Sequence, residues 1–115
     1  MVPERMTFGI FMAPFHRTGE NPTLCLRRDL ELISCLDTLG YDEAWIGEHL
    51  TERWENAPAP ELLIAKALAM TERIILSTGV SLLALHNPVE LAHRPCWPLR
   101  RTPTTPPGTT VVYNC

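Results

Sequence analysis

Short apolar runs alternate with helix-like segments over the first four fifths of the chain. The runs span residues 6–13, 42–49 and 74–80, and residues that favour β-strands are common in them. Segment 22–39 repeats leucine and isoleucine at three- and four-residue steps, and segment 60–70 consists mostly of good helix formers. This order of strands and helices predicts an α/β fold with a parallel sheet.

Helix boundaries are marked by capping residues. Asn21 and Pro22 suit the start of the first helix, because asparagine can accept hydrogen bonds from free backbone amides and proline is tolerated at the first helical position. Gly40 suits its end. Asn87 and Pro88 repeat the starting pattern and predict a third helix.

The second apolar run ends in an acid and an imidazole. Its side chains alternate between two faces of the strand, with Ala44, Ile46 and Glu48 on one face and Trp45, Gly47 and His49 on the other. In parallel α/β folds, chemistry is carried by the loops at the carboxyl ends of the strands. We therefore expect Glu48 and His49 to lie at a functional edge.

Composition limits the classes of protein to consider. The chain has 115 residues, under half of the roughly 250 that a complete α/β barrel needs. Its apolar fraction of 45% and charged fraction of 20% are those of an ordinary globular chain, and a net charge of −3 gives no basic surface for nucleic acid. We expect no membrane span and no signal peptide, and hence a cytoplasmic protein.

No metal site is expected. The four cysteines lack the paired spacing of zinc ligands and, without a secretory signal, are expected to be reduced thiols; they are Cys25, Cys35, Cys96 and Cys115. Neither a Gly-x-Gly-x-x-Gly sequence nor a Walker-type phosphate loop occurs.

The sequence changes character after Ala92. Up to His93, seven basic and thirteen acidic residues give a formal charge of −6, whereas residues 94–115 carry three arginines and no acid. This last segment also holds five prolines and five threonines, which prevent continuation of the third helix. We expect a partial barrel domain over residues 1–93 and a disordered tail over 94–115, which a reading-frame shift would explain better than a designed linker.

Several stretches resemble the bacterial luciferase-like flavin-dependent monooxygenases, and within them the limonene 1,2-monooxygenase group. The most specific stretch is Gly-Tyr-Asp-Glu-Ala-Trp-Ile-Gly-Glu-His at 40–49. Others are Met-Thr-Phe-Gly-Ile-Phe-Met-Ala-Pro at 6–14, Gly-Glu-Asn-Pro at 19–22, Ser-Thr-Gly-Val at 77–80 and His-Asn-Pro at 86–88. The resemblance runs from about residue 6 to 92.

The resemblance implies the N-terminal part of a TIM barrel, with about three βα units. It implies an oxidoreductase that uses reduced flavin, FMN or FAD, together with O₂ to oxygenate a small hydrophobic, terpene-like substrate. A separate flavin reductase would supply the reduced flavin. Coenzyme F420, a deazaflavin, is the alternative cofactor, since related barrels bind it.

The resemblance also assigns roles to residues. His49 matches the family's histidine after the second strand, where an imidazole can give or accept a proton. Many relatives follow it with a histidine or an aromatic residue, whereas this chain has Leu50. Gly79, Val80 and Ser81 match the flavin-contacting end of the third strand, where family members often have a non-proline cis peptide.

Met12, Phe15 and Glu48 are the expected substrate-pocket residues. Plain alternatives stay open from the residue types alone: Met12 and Phe15 as core or wall, Glu48 as a salt-bridge or capping partner, and His86 as part of a turn.

Two other functions stay open at this point. A partial barrel leaves an apolar sheet face uncovered, which predicts a dimer or an aggregate. The chain could therefore be a non-catalytic fragment that pairs with another chain. A free-standing flavodoxin-like domain is less favoured, because such a domain normally has more strands and a phosphate loop.

Overall fold

Strands and helices alternate in the computed structural model, which describes residues 6–93 and 111–113. The elements are β1 (Gly9–Met12), α1 (Pro22–Leu39), β2 (Glu43–Ile46), α2 (Pro60–Leu68), β3 (Ile75–Thr78), a 3₁₀ turn (Leu83–Leu85), α3 (Pro88–His93) and β4 (Val111–Tyr113). The predicted strand–helix order is confirmed.

The strands form one parallel sheet in the order β1-β2-β3-β4. Each of the first three strands is shorter than its apolar run, because the chain leaves the sheet to build the loops at the carboxyl edge. Two backbone bonds continue the pairing past the strand ends, from Gly47 N to Met12 O at 2.8 Å and from Gly79 N to Ile46 O at 2.7 Å. These two glycines therefore mark the functional edge expected of a parallel sheet.

Both predicted ends of α1 are confirmed. The Asn21 side chain accepts bonds from the backbone amides of Thr23 and Leu24, at 2.9 and 3.3 Å. Gly40 ends the helix in the left-handed conformation, with φ of 82°, which glycine adopts without a steric penalty. Asn87 caps α3 in the same way through a 2.9 Å bond from Val89 N.

The hydrophobic core lies between the sheet and the two long helices. Its buried members are Met12, Ile33, Leu36, Ala44, Ile46, Leu63, Ile64, Ala67, Ile74 and Leu76. Strand alternation explains the selection: Ala44 and Ile46 point to the helices and are fully buried, as is Leu76 beside them. This core fixes the first three strands against the helices.

The opposite face of the sheet exposes apolar side chains to solvent. Phe11 is 63% exposed, and Trp45, its partner in the register, is partly buried with its ring N–H donating to Glu43 Oε2 at 2.9 Å. Gly47 and Gly79 follow on the same face.

A buried carboxylate joins α1 to the segment before β3. Asp37 accepts bonds from the backbone amides of Glu72, Arg73 and Ile74, at 2.9, 2.9 and 2.8 Å. The Arg73 guanidinium also donates to the Asp37 backbone carbonyl at 2.8 Å. One side chain thus sets the entry of β3 into the sheet.

The predicted disordered tail, 94–115, lies outside the described residues except for β4. Val111–Tyr113 pairs in parallel with β3, which differs from the expectation of disorder at these three positions. Valine and tyrosine favour strands, and the free edge of β3 offers unpaired backbone groups for them. The predicted domain boundary at residue 93 stays a prediction.

Candidate functional site

Each of the three loops that follow a strand carries a histidine bonded to a carboxylate. The pairs are His16 with Asp29, His49 with Glu55, and His86 with Glu48. All three histidines follow the carboxyl ends of parallel strands, so they belong to one edge of the sheet. Sequence reasoning singled out only His49 as a reactive group among these histidines.

His49 and Glu55 form a dyad at this edge. His49 Nδ1 lies 2.5 Å from Glu55 Oε2, with the Glu55 side chain 3% exposed and the His49 side chain 48% exposed. A carboxylate can only accept a hydrogen bond, so this close approach favours a neutral His49 ring with its hydrogen on Nδ1 and with Nε2 as an acceptor. The pair places an imidazole at the rim with a buried carboxylate beside it.

The surrounding loops hold Glu55 in place. Glu55 forms an isolated antiparallel bridge with Phe15, and the His16 amide donates to Trp54 O at 2.7 Å. The His49 amide donates to Ala57 O at 3.1 Å. The loops after β1 and β2 are therefore bonded to each other around the dyad.

His16 is buried behind that junction. Its Nε2 lies 3.0 Å from Asp29 Oδ2, and its Nδ1 has no partner among the described residues. Burial raises the pKa of the Asp29 carboxyl, and the neighbouring His16 opposes that rise. The pair links the loop after β1 to α1.

Glu48, an expected substrate-pocket residue, is buried and bonded within the protein. Its side chain is 2% exposed, Oε2 accepts a bond from Leu82 N at 2.8 Å, and Oε1 bonds to His86 Nε2. Alternation along β2 turns this side chain to the same side as Ile46, away from the open face. The salt-bridge alternative left open from the sequence is the one that the structure shows.

Met12, another expected pocket residue, packs in the core, as its plain alternative reading had it. It is 5% exposed and belongs to the core between sheet and helices. Strand alternation puts Met12 on the face of Ile10 and leaves Phe11 on the open face. Phe15 lies at the rim, 66% exposed, and keeps its expected role as a proposal.

The segment after β3 has the backbone form that the resemblance implies. The peptide bond between Gly79 and Val80 is cis. Val80 is 45% exposed, whereas Ser81 is buried and its hydroxyl bonds to Thr78 Oγ1 at 3.2 Å. Of the three expected flavin-contacting residues, Val80 is therefore the one with an open side chain.

Gly79 lies close to the side chains of Phe11 and Trp45. A Cβ at this position would stand 3.1 Å from Phe11 Cε2 and 3.1 Å from Trp45 Cβ. Phe11 and Val80 add exposed apolar surface beside it.

Gly79→Ala is expected to lower the free energy of unfolding by about 1–2 kcal/mol. Each kcal/mol lowers the melting temperature of a domain of this size by roughly 4–8 °C. The Phe11 ring can swing into open space, but Trp45 Cβ is fixed on β2, so the new methyl group forces the strands apart. Thermal denaturation followed by circular dichroism measures the change.

Gly47→Ala is the matched control. A Cβ at Gly47 would meet its nearest atom, Met12 O, at 3.5 Å, which is an ordinary contact. We expect Gly47→Ala to melt within a few degrees of the wild type. Equal melting temperatures for the two alanine variants would contradict the crowding argument.

The sequence does not show which carboxylate pairs with which histidine, and the reason is physical. Glu55 is six residues from His49, Asp29 thirteen from His16 and Glu48 thirty-eight from His86, and no fixed spacing predicts which pairs meet. One signal was available. Alternation buries Glu48 with Ala44 and Ile46, and a buried carboxylate requires a partner.

The outer side of the molecule carries a separate apolar groove of about 470 Å³ between α1 and α2. Leu26, Leu30, Leu62 and Leu63 line it, with Lys66 at its border. The loop after β2 closes one side of the groove with residues 56–59, which follow Glu55 directly in the chain.

None of the helices in residues 6–93 is long and apolar enough to cross a membrane. Within the same residues, no cluster of three or more histidine, cysteine or acidic side chains could hold a metal ion. Cys25 and Cys35 are both free thiols.

Comparison with known proteins supplies the context for this edge. The family model described as luciferase-like monooxygenase matches residues 6–94. The chain belongs to this family. The luciferase-like match covers nearly the whole described region, including all three histidine–carboxylate pairs, and confirms the resemblance inferred from the sequence.

Two relatives of the chain are named as monooxygenases. The chain is 50% identical over 91 residues to 4-hydroxyprotoasukamycin monooxygenase of Streptomyces nodosus subsp. asukaensis, covering 79% of this chain and 24% of that protein. It is 41% identical over 90 residues to limonene 1,2-monooxygenase of Rhodococcus erythropolis, covering 78% and 23%.

A solved structure shows the same fold. The oxygenating constituent of 3,6-diketocamphane monooxygenase from Pseudomonas putida, a type II Baeyer-Villiger monooxygenase in complex with FMN, superposes with a TM-score of 0.77 and 32% identity. The match covers 81% of this chain and 26% of that one. It confirms the expected fold, the N-terminal part of a luciferase-like TIM barrel, and the chain spans about a quarter of the length of the relatives it matches.

Proposed function

We propose that this luciferase-like chain contributes to a flavin-dependent monooxygenase that uses reduced flavin and O₂ to oxygenate a small hydrophobic, terpene-like substrate. The observation that carries the proposal is the His49–Glu55 dyad at the carboxyl edge of the sheet, where Phe15 and Val80 expose apolar side chains. Family membership supports the type of reaction, and the limonene relative supports the substrate class.

His49 is the proposed acid–base residue. Glu55 holds its Nδ1, so Nε2 is left to accept a proton from, or return it to, the reacting molecules. The half-exposed ring can reach a ligand at the rim, and the buried Glu55 stabilises the charge when the ring is protonated. Phe15 is the proposed apolar wall for the substrate.

FMN is the proposed cofactor, with FAD and coenzyme F420 as alternatives. Gly79, Val80 and Ser81 would hold one face of the flavin ring, and bound reduced flavin would supply the electrons that activate O₂. A separate flavin reductase is the proposed partner, because the oxygenating constituent of a two-component enzyme is among the structural neighbours. The cytoplasmic location stays a prediction from the sequence.

His49→Asn is expected to lower product formation by about 10²–10⁴-fold, the usual share of general acid–base catalysis, while FMN affinity changes little. The assay combines the protein with a flavin reductase, NADH, FMN, O₂ and a panel of monoterpenes, and measures products by mass spectrometry. Fluorescence titration with FMN, FAD and F420 separates the three cofactors.

His93→Asn is the matched control for His49→Asn. His93 is exposed at the end of α3, where its Nδ1 bonds to Val89 O at 2.8 Å. Its loss should leave product formation unchanged. Oxygenated product from His49→Asn at the wild-type rate would contradict the acid–base role, and no oxygen-dependent product from the wild type would contradict the proposed activity.

The second candidate is a non-catalytic chain that pairs with another chain through the open sheet face. The exposed Phe11 on that face favours it. Analytical ultracentrifugation gives the oligomeric state, and thermal denaturation shows whether the chain unfolds cooperatively. A monomer that unfolds cooperatively would contradict dependence on a partner chain.

A further inference from the structure

The carboxylate of Glu48 bonds to both ends of the 3₁₀ turn that follows β3. Its Oε2 accepts from the amide of Leu82, which precedes the turn, at 2.8 Å, and its Oε1 bonds to the ring of His86, which follows the turn. The Glu48 side chain is 2% exposed and the His86 side chain 13% exposed. The end of β2 is therefore joined to the segment between β3 and α3.

The attachment begins immediately after the proposed flavin-contacting residues. Leu82 is the next residue after Ser81, so the Leu82 amide fixes the backbone just past Gly79, Val80 and Ser81. On the other side of those residues, Gly79 N is bonded to Ile46 O at 2.7 Å. The acceptors of both bonds belong to residues 46–48, at the end of β2 and just after it. Together the bonds hold residues 79–82 at both ends.

We propose that Glu48 is a positioning residue that holds the segment 79–86 in the conformation that receives the flavin. The inference rests on the proposed function, because the ligand is the flavin proposed there. Both Glu48 oxygens are bonded within the protein and the side chain is buried, so Glu48 acts through the segment and not by touching the ligand. His86 is its partner in the same role.

Hydrogen–deuterium exchange of the free protein tests the attachment without any cofactor. In Glu48→Ala, we expect the amides of residues 80–86 to exchange about tenfold faster or more, because Leu82 N–H and His86 lose their common acceptor. Glu48→Gln should retain protection, since its amide oxygen can accept from Leu82 while its amide nitrogen donates to His86. Should Glu48→Ala fail to fold, Glu48→Asp, too short to reach both partners, takes its place.

Two controls separate positioning from a general loss of stability. Ile33→Val removes a methylene group from the core but keeps both Glu48 bonds, so it should leave relative exchange in 80–86 unchanged. Glu90→Ala removes an exposed carboxylate from α3 and should behave as the wild type. Faster exchange in 80–86 for Ile33→Val, equal to that of Glu48→Ala, would overturn the proposal.

FMN titration is the second part of the test. We expect Glu48→Ala to raise the FMN dissociation constant about tenfold, roughly the loss of one hydrogen bond to a charged group, and Glu48→Gln to stay within about threefold. Wild-type affinity in Glu48→Ala would overturn the positioning role. A wild type that binds no flavin would contradict the proposed function instead, while the exchange experiment would still decide whether Glu48 holds the segment.

Discussion

Asp37→Ala is expected to lower the free energy of unfolding by about 3–5 kcal/mol, because three backbone amides lose their acceptor at once. Small domains have total stabilities of about 5–15 kcal/mol, so this variant should be largely destabilised. Asp37→Asn should lower the free energy of unfolding by about half as much. Its amide oxygen can keep the bonds from the Arg73 and Ile74 amides, but its NH₂ group then faces the Glu72 amide. Urea denaturation followed by circular dichroism measures both changes.

The same carboxylate makes stability depend on pH in a defined direction. Burial opposes ionisation of Asp37, but the bonds from the Glu72, Ile74 and Arg73 amides outweigh it and lower the pKa. A carboxyl with a lowered pKa stabilises the fold above its unfolded pKa, about 3.9, and loses this contribution as the pH falls through the folded value. The stability difference between the wild type and Asp37→Asn should therefore shrink below about pH 4.

Glu31→Ala is the control on the same helix, since Glu31 is exposed. Its removal should change the free energy of unfolding by no more than about 0.5 kcal/mol at either pH. An Asp37→Ala variant as stable as Glu31→Ala would show that the three amides find other partners, and would contradict the role given to Asp37.

Glu55→Ala is expected to lower the rate of product formation by about 10²-fold. Glu55 acts through His49, because the ring then loses the carboxylate that favours its tautomer and orientation. The tautomer itself gives a direct readout. Long-range ¹H–¹⁵N spectra of the wild type should show His49 protonated at Nδ1, and Glu55→Ala should shift the ring toward the Nε2–H form that free imidazoles favour. Product formation is measured with an added flavin reductase, and the spectra are recorded on the protein alone.

Glu52→Ala provides the comparison in the same loop, since Glu52 is partly exposed and His49 is not among its bonded partners. We expect an unchanged His49 tautomer and unchanged product formation. An Nδ1–H signal that persists in Glu55→Ala would contradict the dyad and leave His49 without its orienting group.

Local sequence signals predicted the elements well because their causes are local. Asn21 and Gly40 bound α1 as expected, since a cap depends on residues within a few positions of it. Strand alternation placed Ala44 and Ile46 in the core. The same alternation turns Met12 to the core face of β1, whereas its pocket role came from the family resemblance and stays a prediction.

The site was harder to predict because its bonds join distant parts of the chain. His49 could be identified by its place after β2, but Glu55 depends on how the loop folds back against Phe15. Glu48 and His86 meet only after two helices and a strand have been placed between them. Pattern and spacing thus predict which edge is functional, and the tertiary fold determines which groups act together there.

An NMR titration of the ¹⁵N-labelled protein with FMN shows whether the carboxyl edge of this sheet receives flavin next to His49. We expect shift changes concentrated at Gly47, Gly79, Val80 and the His49 ring. Changes confined to Leu26 and Leu62 in the outer groove, or no changes at millimolar FMN, would contradict flavin binding at this edge.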